Sequence, residues 1–143
     1  MNIKIEEADE RHISSIADLS TELGYPITRA KVTQNMNIIK EKPDHKVWVA
    51  KEGEQVLGWC HAAKTCWVMM ESMIEVFGLV VSAKSRGKGI GKMLINRVEL
   101  FARENGVAEV WIRSNRKRRE SHPFYLKLAY TNLKDQAVYV KKV

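Results

Sequence analysis

The sequence predicts a mixed α/β (α+β) domain, a sheet of about seven strands with helices on both faces, in the order β-α-α-β-β-β-α-β-α-β-β. Three observations predict it. Short alternating or continuously apolar segments are interleaved with segments whose apolar residues recur at steps of three and four. The connections carry residues that end helices and turn hairpins, at Gly24-Tyr25-Pro26, Glu52-Gly53-Glu54 and Asn105-Gly106. And 143 residues, 45% of them hydrophobic, with no repeat, linker or low-complexity stretch, can bury a core of their own. Residues 1–143 are therefore expected to form a single domain.

The first strand, residues 2–6, places Ile3 and Ile5 on one face. Asp9 is a plausible N-cap for a helix carrying Ile13, Ile16, Ala17, Leu19 and Leu23 inward, ended by Gly24 and barred from continuing by Pro26. A second helix is predicted from about 28 to about 40, with Val32, Met36 and Ile39 inward. Strands at 46–51 and 55–64 flank the Gly53 turn, and Gly58 in mid-strand signals a bulge or a close approach. A third strand of this group covers 73–81. The stretch 65–72 between the last two holds Cys66, Trp67, Met69 and Met70, apolar for a connection. It reads equally as a longer hairpin with packed tips or as the lip of a substrate cleft. Ile90, Leu94, Val98 and Phe101 then mark a helix ending near Asn105-Gly106, followed by a strand at 107–112. Ser121 is placed to cap a short helix with Pro123 in its first turn, and strands near 131–133 and 137–142 close the chain.

One stretch carries chemistry. Arg86-Gly87-Lys88-Gly89-Ile90-Gly91 lies between the strand at 73–81 and the helix beginning near Ile90. Helix N-termini leave amide N–H groups without partners and carry the positive end of the helix dipole, so they suit phosphate. Glycines let the backbone turn tightly and a ligand approach closely. Arg86, Lys88 and Lys92 add positive charge. The spacing is not that of a Walker loop, which needs GxxxxGK[ST]. Nor is it GxGxxG, because Lys92 stands where the third glycine belongs. What remains is [R/Q]xxGxG, filled by Arg86, Gly89 and Gly91.

Composition narrows the classes further. Nothing approaches the roughly 18 apolar residues of a membrane span, and the first residues lack a signal-peptide core. Two cysteines, Cys60 and Cys66, make no disulfide framework, so a reducing cytoplasm is expected and both read as small buried hydrophobes. His45 and His61 have no ligand-spaced partners in the sequence, and no metal is expected. Net charge is +7, concentrated in the loop cluster and in a second cluster of Arg113, Arg116, Lys117, Arg118 and Arg119. A polyanionic cofactor explains the first cluster. The second also fits a nucleic-acid-binding module, but residues 113–119 lack interleaved aromatics for base stacking and match no helix-turn-helix or zinc pattern.

The [R/Q]xxGxG loop resembles the pyrophosphate loop of the GCN5-related N-acetyltransferases (GNAT), and the order of elements resembles that fold over essentially the whole chain. Glu22-Leu23-Gly24-Tyr25-Pro26 is like a stretch often seen there. Asn115, after the fifth strand, matches an asparagine commonly placed beside the pantetheine arm. Ser121-His122-Pro123-Phe124-Tyr125 resembles the family's AHxFY helix, whose tyrosine faces the sulfur of coenzyme A. Two departures stand out. Ala129 precedes the aromatic Tyr130 where glycine is usual, which implies a slightly different turn, and Pro123 implies a later helix start.

The resemblance implies an acetyl-CoA-dependent N-acetyltransferase acting on a primary amine of a small molecule or a protein, with no metal. A non-catalytic acyl-CoA binder of the same fold is the alternative, and assembly as a homodimer stays open. It implies that Arg86, Gly87, Lys88, Gly89, Ile90, Gly91 and Lys92 hold the pyrophosphate, mostly through backbone amides. In this fold two strands splay apart past a bulge in the fourth, and pantetheine enters the gap like an added strand. Leu79, Val80 and Val81 are then main-chain contacts, with Asn115 beside them. Tyr125 is the candidate acid for the leaving thiolate. Glu75 is the candidate base, eleven residues before Arg86, a spacing similar to that of the glutamate in the histone-acetylating branch. It interrupts an apolar strand, and a buried carboxylate needs a partner or a purpose; the bland reading is that it faces solvent. Glu71 is a weaker candidate, and His122 reads as a capping-turn residue.

Overall fold

The computed structural model describes residues 2–115 and 119–143, so Arg116, Lys117 and Arg118 of the second basic cluster lie outside the described residues. The chain divides into two units, Met1–Arg113 and Ser114–Val143.

The first unit is a five-stranded sheet in the order β1-β2-β3-β4-β5, with β1 at Ile3–Glu7, β2 at His45–Glu52, β3 at Gln55–Trp67, β4 at Met70–Val81 and β5 at Val110–Ile112. Neighbours are antiparallel except β4 and β5, which run parallel. Helices α1 (Ile13–Glu22) and α2 (Arg29–Ile39) lie on one face and α3 (Ile90–Glu104) on the other. Alternation along the strands produces this arrangement. Val47 and Val49 pack with Ile16, Leu19 and Val32, whereas Trp48 and Ala50 pack with Leu94, Val98 and Phe101. Each fully buried aliphatic side chain contributes about 1.5–3 kcal/mol. The four-, four- and three-residue steps read in the sequence place Ile90, Leu94, Val98 and Phe101 in the α3-side core.

Local chemistry sets the ends. Asp9 accepts from the Arg11 amide and forms a reciprocal cap with His12, opening a 3-10 turn at Glu10–His12 that runs into α1. Thr28 caps α2 through the Lys31 amide at 3.1 Å. Helix α1 ends with Gly24 left-handed, its N–H donating to Thr21 C=O while the Tyr25 N–H reaches back to Ser20 C=O. That paired closure satisfies two carbonyls the helix leaves open. Gly106 repeats it after α3, where Val107 N–H reaches Ala102 C=O.

Two bulges matter. Leu57 is the extra residue between the pairs Ala50–Gly58 and Lys51–Val56. Beside it, a Cβ on Gly58 would stand 2.7 Å from the Val80 carbonyl oxygen, so both expectations for Gly58, a bulge and a close approach, are met. Phe77 is the extra residue in β4, between the pairs His61–Gly78 and Ala62–Val76. The apolar stretch 65–72 is a continuation of the β3–β4 hairpin, with Val68 and Met69 at its exposed tip. Its tip is therefore not packed.

The second unit contains α4, Ser121–Lys127. The later start suggested by Pro123 is not taken: the helix begins at Ser121, with Glu120 rather than Ser121 at the N-cap. Pro123 then sits in the first turn, where its missing N–H costs no intrahelical bond. Ala129 corrects a second expectation. It holds φ at +67°, the only non-glycine positive φ among the described residues, and closes α4 as glycine would. Its N–H donates to Leu126 C=O and the Tyr130 N–H to Tyr125 C=O. The strands expected near 131–133 and 137–142 do not form among the described residues, so five strands replace the seven expected. Val138, Tyr139 and Val140 are fully exposed. Their β-branched and aromatic character favours a strand only where a neighbouring strand supplies the ladder and a packed face.

Candidate active site

The β4–β5 ladder covers only Ile74–Val110, Glu75–Trp111 and Val76–Ile112. It stops where Phe77 bulges, and from Gly78 to Val81 the described partner of β4 is β3 alone. Leu79 and Val81 are half-buried against the α3-side core, and Val80 is buried on the α1 face. A strand edge released in this way presents backbone donors and acceptors that an extended ligand can pair with.

Past Val81 the chain makes a 3-10 turn at Ala83–Ser85, and Arg86 is extended. The amide of Ala83 donates to Glu22 Oε1 at 3.4 Å, tying the end of α1 to the start of the loop. Gly87 and Gly89 both hold φ at +79°, a left-handed conformation that L side chains adopt only with strain. Gly89 is the N-cap of α3, and no side chain caps this end. The first bond of the helix runs from the Met93 amide to Gly89 C=O at 3.0 Å. The amides of Ile90, Gly91 and Lys92 precede it and have no intrahelical acceptor. Arg86, Gly87, Lys88, Gly89 and Lys92 are exposed, while Ile90 and Gly91 are buried. The loop therefore offers an anion both amides and cations.

Glu75 does not face solvent. It is buried at 6% exposure. Its Oε1 accepts from Thr65 Oγ1 at 3.1 Å and from the Trp67 indole N–H at 2.9 Å. Its Oε2 lies 3.5 Å from Arg113 Nε. The Arg113 guanidinium in turn sits over the rings of Trp67 and Trp111, at 5.7 and 5.9 Å. The carboxylate is thus oriented by three donors, at the height in β4 where β5 still pairs. Glu71, the weaker candidate, is exposed.

The sequence reading missed a pair. His45 Nδ1 and His61 Nε2 are 3.0 Å apart, and the Phe77 ring lies 5.7 Å from the first imidazole and 5.0 Å from the second. Burial pushes His61 down to about 4, helped by His45, and burial also lowers His45, with Lys42 adding to the effect and Asp44 opposing it. No simple signal was available: counted from the Gly53 turn alone the two histidines fall on opposite faces, and only the extra residue Leu57 brings them to one face, two pairs apart along the ladder. Cys60, read as a buried hydrophobe, is one, with burial raising its thiol to about 12; Cys66 is exposed.

Asn115 and Tyr125 belong to the second unit. Asn115 is exposed. Tyr125 is half-buried on α4, its ring edge-on to Phe124 at 5.1 Å and to Tyr130 at 6.2 Å. His122 is exposed in the first turn of α4. Among the described residues, no group of three or more His, Cys, Asp or Glu could hold a metal ion, and no helix is long and apolar enough to cross a membrane.

Comparison with known proteins bears on this arrangement. The chain is 32% identical over 84 residues to N-acetyltransferase 8B of Rattus norvegicus, covering 58% of this chain but only 38% of the rat protein. It is 26% identical over 99 residues to the uncharacterized N-acetyltransferase YhdJ of Bacillus subtilis, covering 68% and 70% of the two chains. Its fold matches that of the aminoglycoside acetyltransferase AAC(6')-Iy in complex with a bisubstrate analog, at a TM-score of 0.88 and 16% identity over the whole of both chains. It also matches glucosamine-6-phosphate N-acetyltransferase from Arabidopsis thaliana, at 0.84 and 17% identity over 99% of this chain and all of the other. The model of the acetyltransferase (GNAT) family matches residues 11–130, a span that takes in the bulged strand, the glycine loop and the helix bearing Tyr125, and the chain belongs to that family.

Proposed function

We propose that the protein transfers the acetyl group of acetyl-CoA to a primary amine of a small molecule or a protein, by direct attack of the amine on the thioester. The observation that carries this reading is the combination at the end of β4. An uncapped helix N-terminus, approached through two left-handed glycines, follows directly on a strand released from its neighbour by the Phe77 bulge. The first feature suits a pyrophosphate and the second an extended amide-bearing arm; coenzyme A has both. A neighbour in fold, AAC(6')-Iy, has been solved with CoA, which supports the same use of the fold here.

The amides of Gly87 to Gly91 hold the pyrophosphate, with Arg86, Lys88 and Lys92 screening its charge. Main-chain groups of Leu79, Val80 and Val81 pair with the pantetheine arm, and Asn115 lies beside it. The acceptor arrives as an ammonium with a pKa near 10.4 if it is a lysine-like amine, so a proton must leave before attack. Glu75, held in place by Thr65, Trp67 and Arg113, draws that ammonium and is the first candidate to take its proton. The nitrogen lone pair then forms the N–C bond, the C–S bond breaks, and Tyr125 O–H protonates the departing thiolate. The test is incubation with acetyl-CoA and a panel of primary amines, following free thiol release and product mass. Acetylated product supports the reading. Binding of acetyl-CoA with no product from any amine or protein lysine would favour a non-catalytic binder.

A further inference from the structure

The hydrogen-bonded histidines are absorbed by none of these roles, yet they stand at the bulge on which the proposed site depends. Ala63 is the direct partner of Glu75 across the β3–β4 ladder. His61 is two residues from Ala63 on β3, so its side chain leaves the same face of the sheet. It pairs with Gly78, next to the bulged Phe77, which makes it a diagonal neighbour of Glu75. His45 follows on the next strand outward, 3.0 Å from it through Nδ1 and Nε2.

We propose that His61 and His45 form a two-imidazole relay that carries the acceptor's proton from the sheet face at the β4 bulge to solvent. The proposal rests on the acetyl-transfer reading above. Two neutral imidazoles joined by one N–H···N bond keep one bare nitrogen and one N–H outside the pair. When His61 Nε2–H donates to His45 Nδ1, the bare nitrogen is His61 Nδ1 and the outer donor is His45 Nε2–H. The ammonium N–H bond breaks and its proton bonds to His61 Nδ1. The Nε2 proton passes to His45 Nδ1, and the Nε2 proton of His45 leaves to water or buffer. One proton enters and one leaves, with no other reactant needed. Proton exchange of the imidazole nitrogens with water restores the starting tautomers.

Three further observations support it. Glu75 already accepts from Thr65, Trp67 and Arg113, so much of its hydrogen-bonding capacity is taken and the imidazoles are further acceptors on the same face of the sheet. Burial lowers both rings, and His45 lowers His61 further, so the pair passes a proton on rather than retaining it. The charges that bear on the outer ring are Lys42 and Asp44, while the His45 ring bears on the inner one and Phe77 is neutral.

Two acceptors separate this role from a structural one. Ethylamine is protonated near neutrality and needs a base; 2,2,2-trifluoroethylamine is largely neutral and does not. His61→Asn should lower kcat/KM for ethylamine about a hundredfold, the lower end for acid–base catalysis, and leave trifluoroethylamine within about twofold. His45→Asn should give the same pattern, less steeply. Equal losses on both amines, or none on ethylamine, overturn the relay. If the wild-type chain binds acetyl-CoA but acetylates neither amine, the failure belongs to the acetyl-transfer reading. Long-range ¹H–¹⁵N spectra of the imidazole rings then decide the pair itself. One nitrogen shared in an N–H···N bond between His45 and His61 supports it, and two independently titrating rings overturn it.

Discussion

Ala129 holds φ at +67° in a helix closure that two glycines perform elsewhere in the chain. An L residue in that conformation costs about 1–2 kcal/mol. Ala129→Gly should therefore stabilise the closure of α4 by about 1 kcal/mol, seen as a higher denaturation midpoint; an unchanged or lower midpoint contradicts the strain. The sequence showed that glycine was missing but not that the turn would be kept, because backbone hydrogen bonds at Ala129 and Tyr130 outweigh the local penalty. Tyr125 tests the chemical step. Tyr125→Phe keeps the ring contacts with Phe124 and Tyr130, so folding should change little. Loss of a general acid should lower kcat about a hundredfold with KM for acetyl-CoA nearly constant. Wild-type turnover with chemistry rate-limiting would return Tyr125 to a packing role. The histidine pair also makes stability depend on pH. Burial sets His61 near 4 in the folded chain, below the usual 6.5. Below 6.5 the unfolded chain binds protons that the folded chain refuses, so stability falls as pH drops from 6.5 towards 4 and is unaffected above that window. Urea midpoints measured across the window should fall less steeply in His61→Gln than in wild type.

At the scale of elements, periodicity was enough where one face packs locally. The inward residues of α1, α2 and α3 occupy the core positions their spacing predicts. It was not enough where a strand depends on a distant partner. Residues 137–142 have strand-forming side chains without a ladder, and β5 is three residues rather than six. The β3–β4 hairpin extends further than its alternation suggests because each strand supplies the other's hydrogen bonds. Gly58 is the position where sequence and element agree most closely. A Cβ there meets Val80 O at 2.7 Å, too close to be accommodated without a shift, and lies at contact distance, 3.4 Å, from Ile90 and Leu94. Gly58→Ala should destabilise by about 1–3 kcal/mol, the cost of overpacking, and should weaken acetyl-CoA binding by shifting the released end of β4. A denaturation midpoint equal to wild type would show that the bulge absorbs the methyl group.

For the whole molecule, the glycine loop was legible because its chemistry is local: six consecutive residues carry the turn, the amide end and the charge. Glu75 was legible as a misfit in an apolar strand, but its burial and its three donors were not, since Thr65, Trp67 and Arg113 meet it only through the fold. The His45–His61 pair was illegible for the same reason, sixteen residues apart and joined by register. A net charge of +7 attracts any polyanion at low salt, so affinity alone does not separate coenzyme A from nucleic acid. The most direct measurement is calorimetric titration of acetyl-CoA into the wild-type chain and into Gly89→Val at physiological salt. A Cβ at Gly89 meets nothing within 4 Å, so in the free protein the substitution costs backbone strain at φ +79° rather than a clash at the Cβ. The account predicts saturable binding of one acetyl-CoA per chain by the wild type and severe loss in the variant, with the variant still folded by circular dichroism. Equal affinity in the two proteins, or no heat from the wild type, would contradict it.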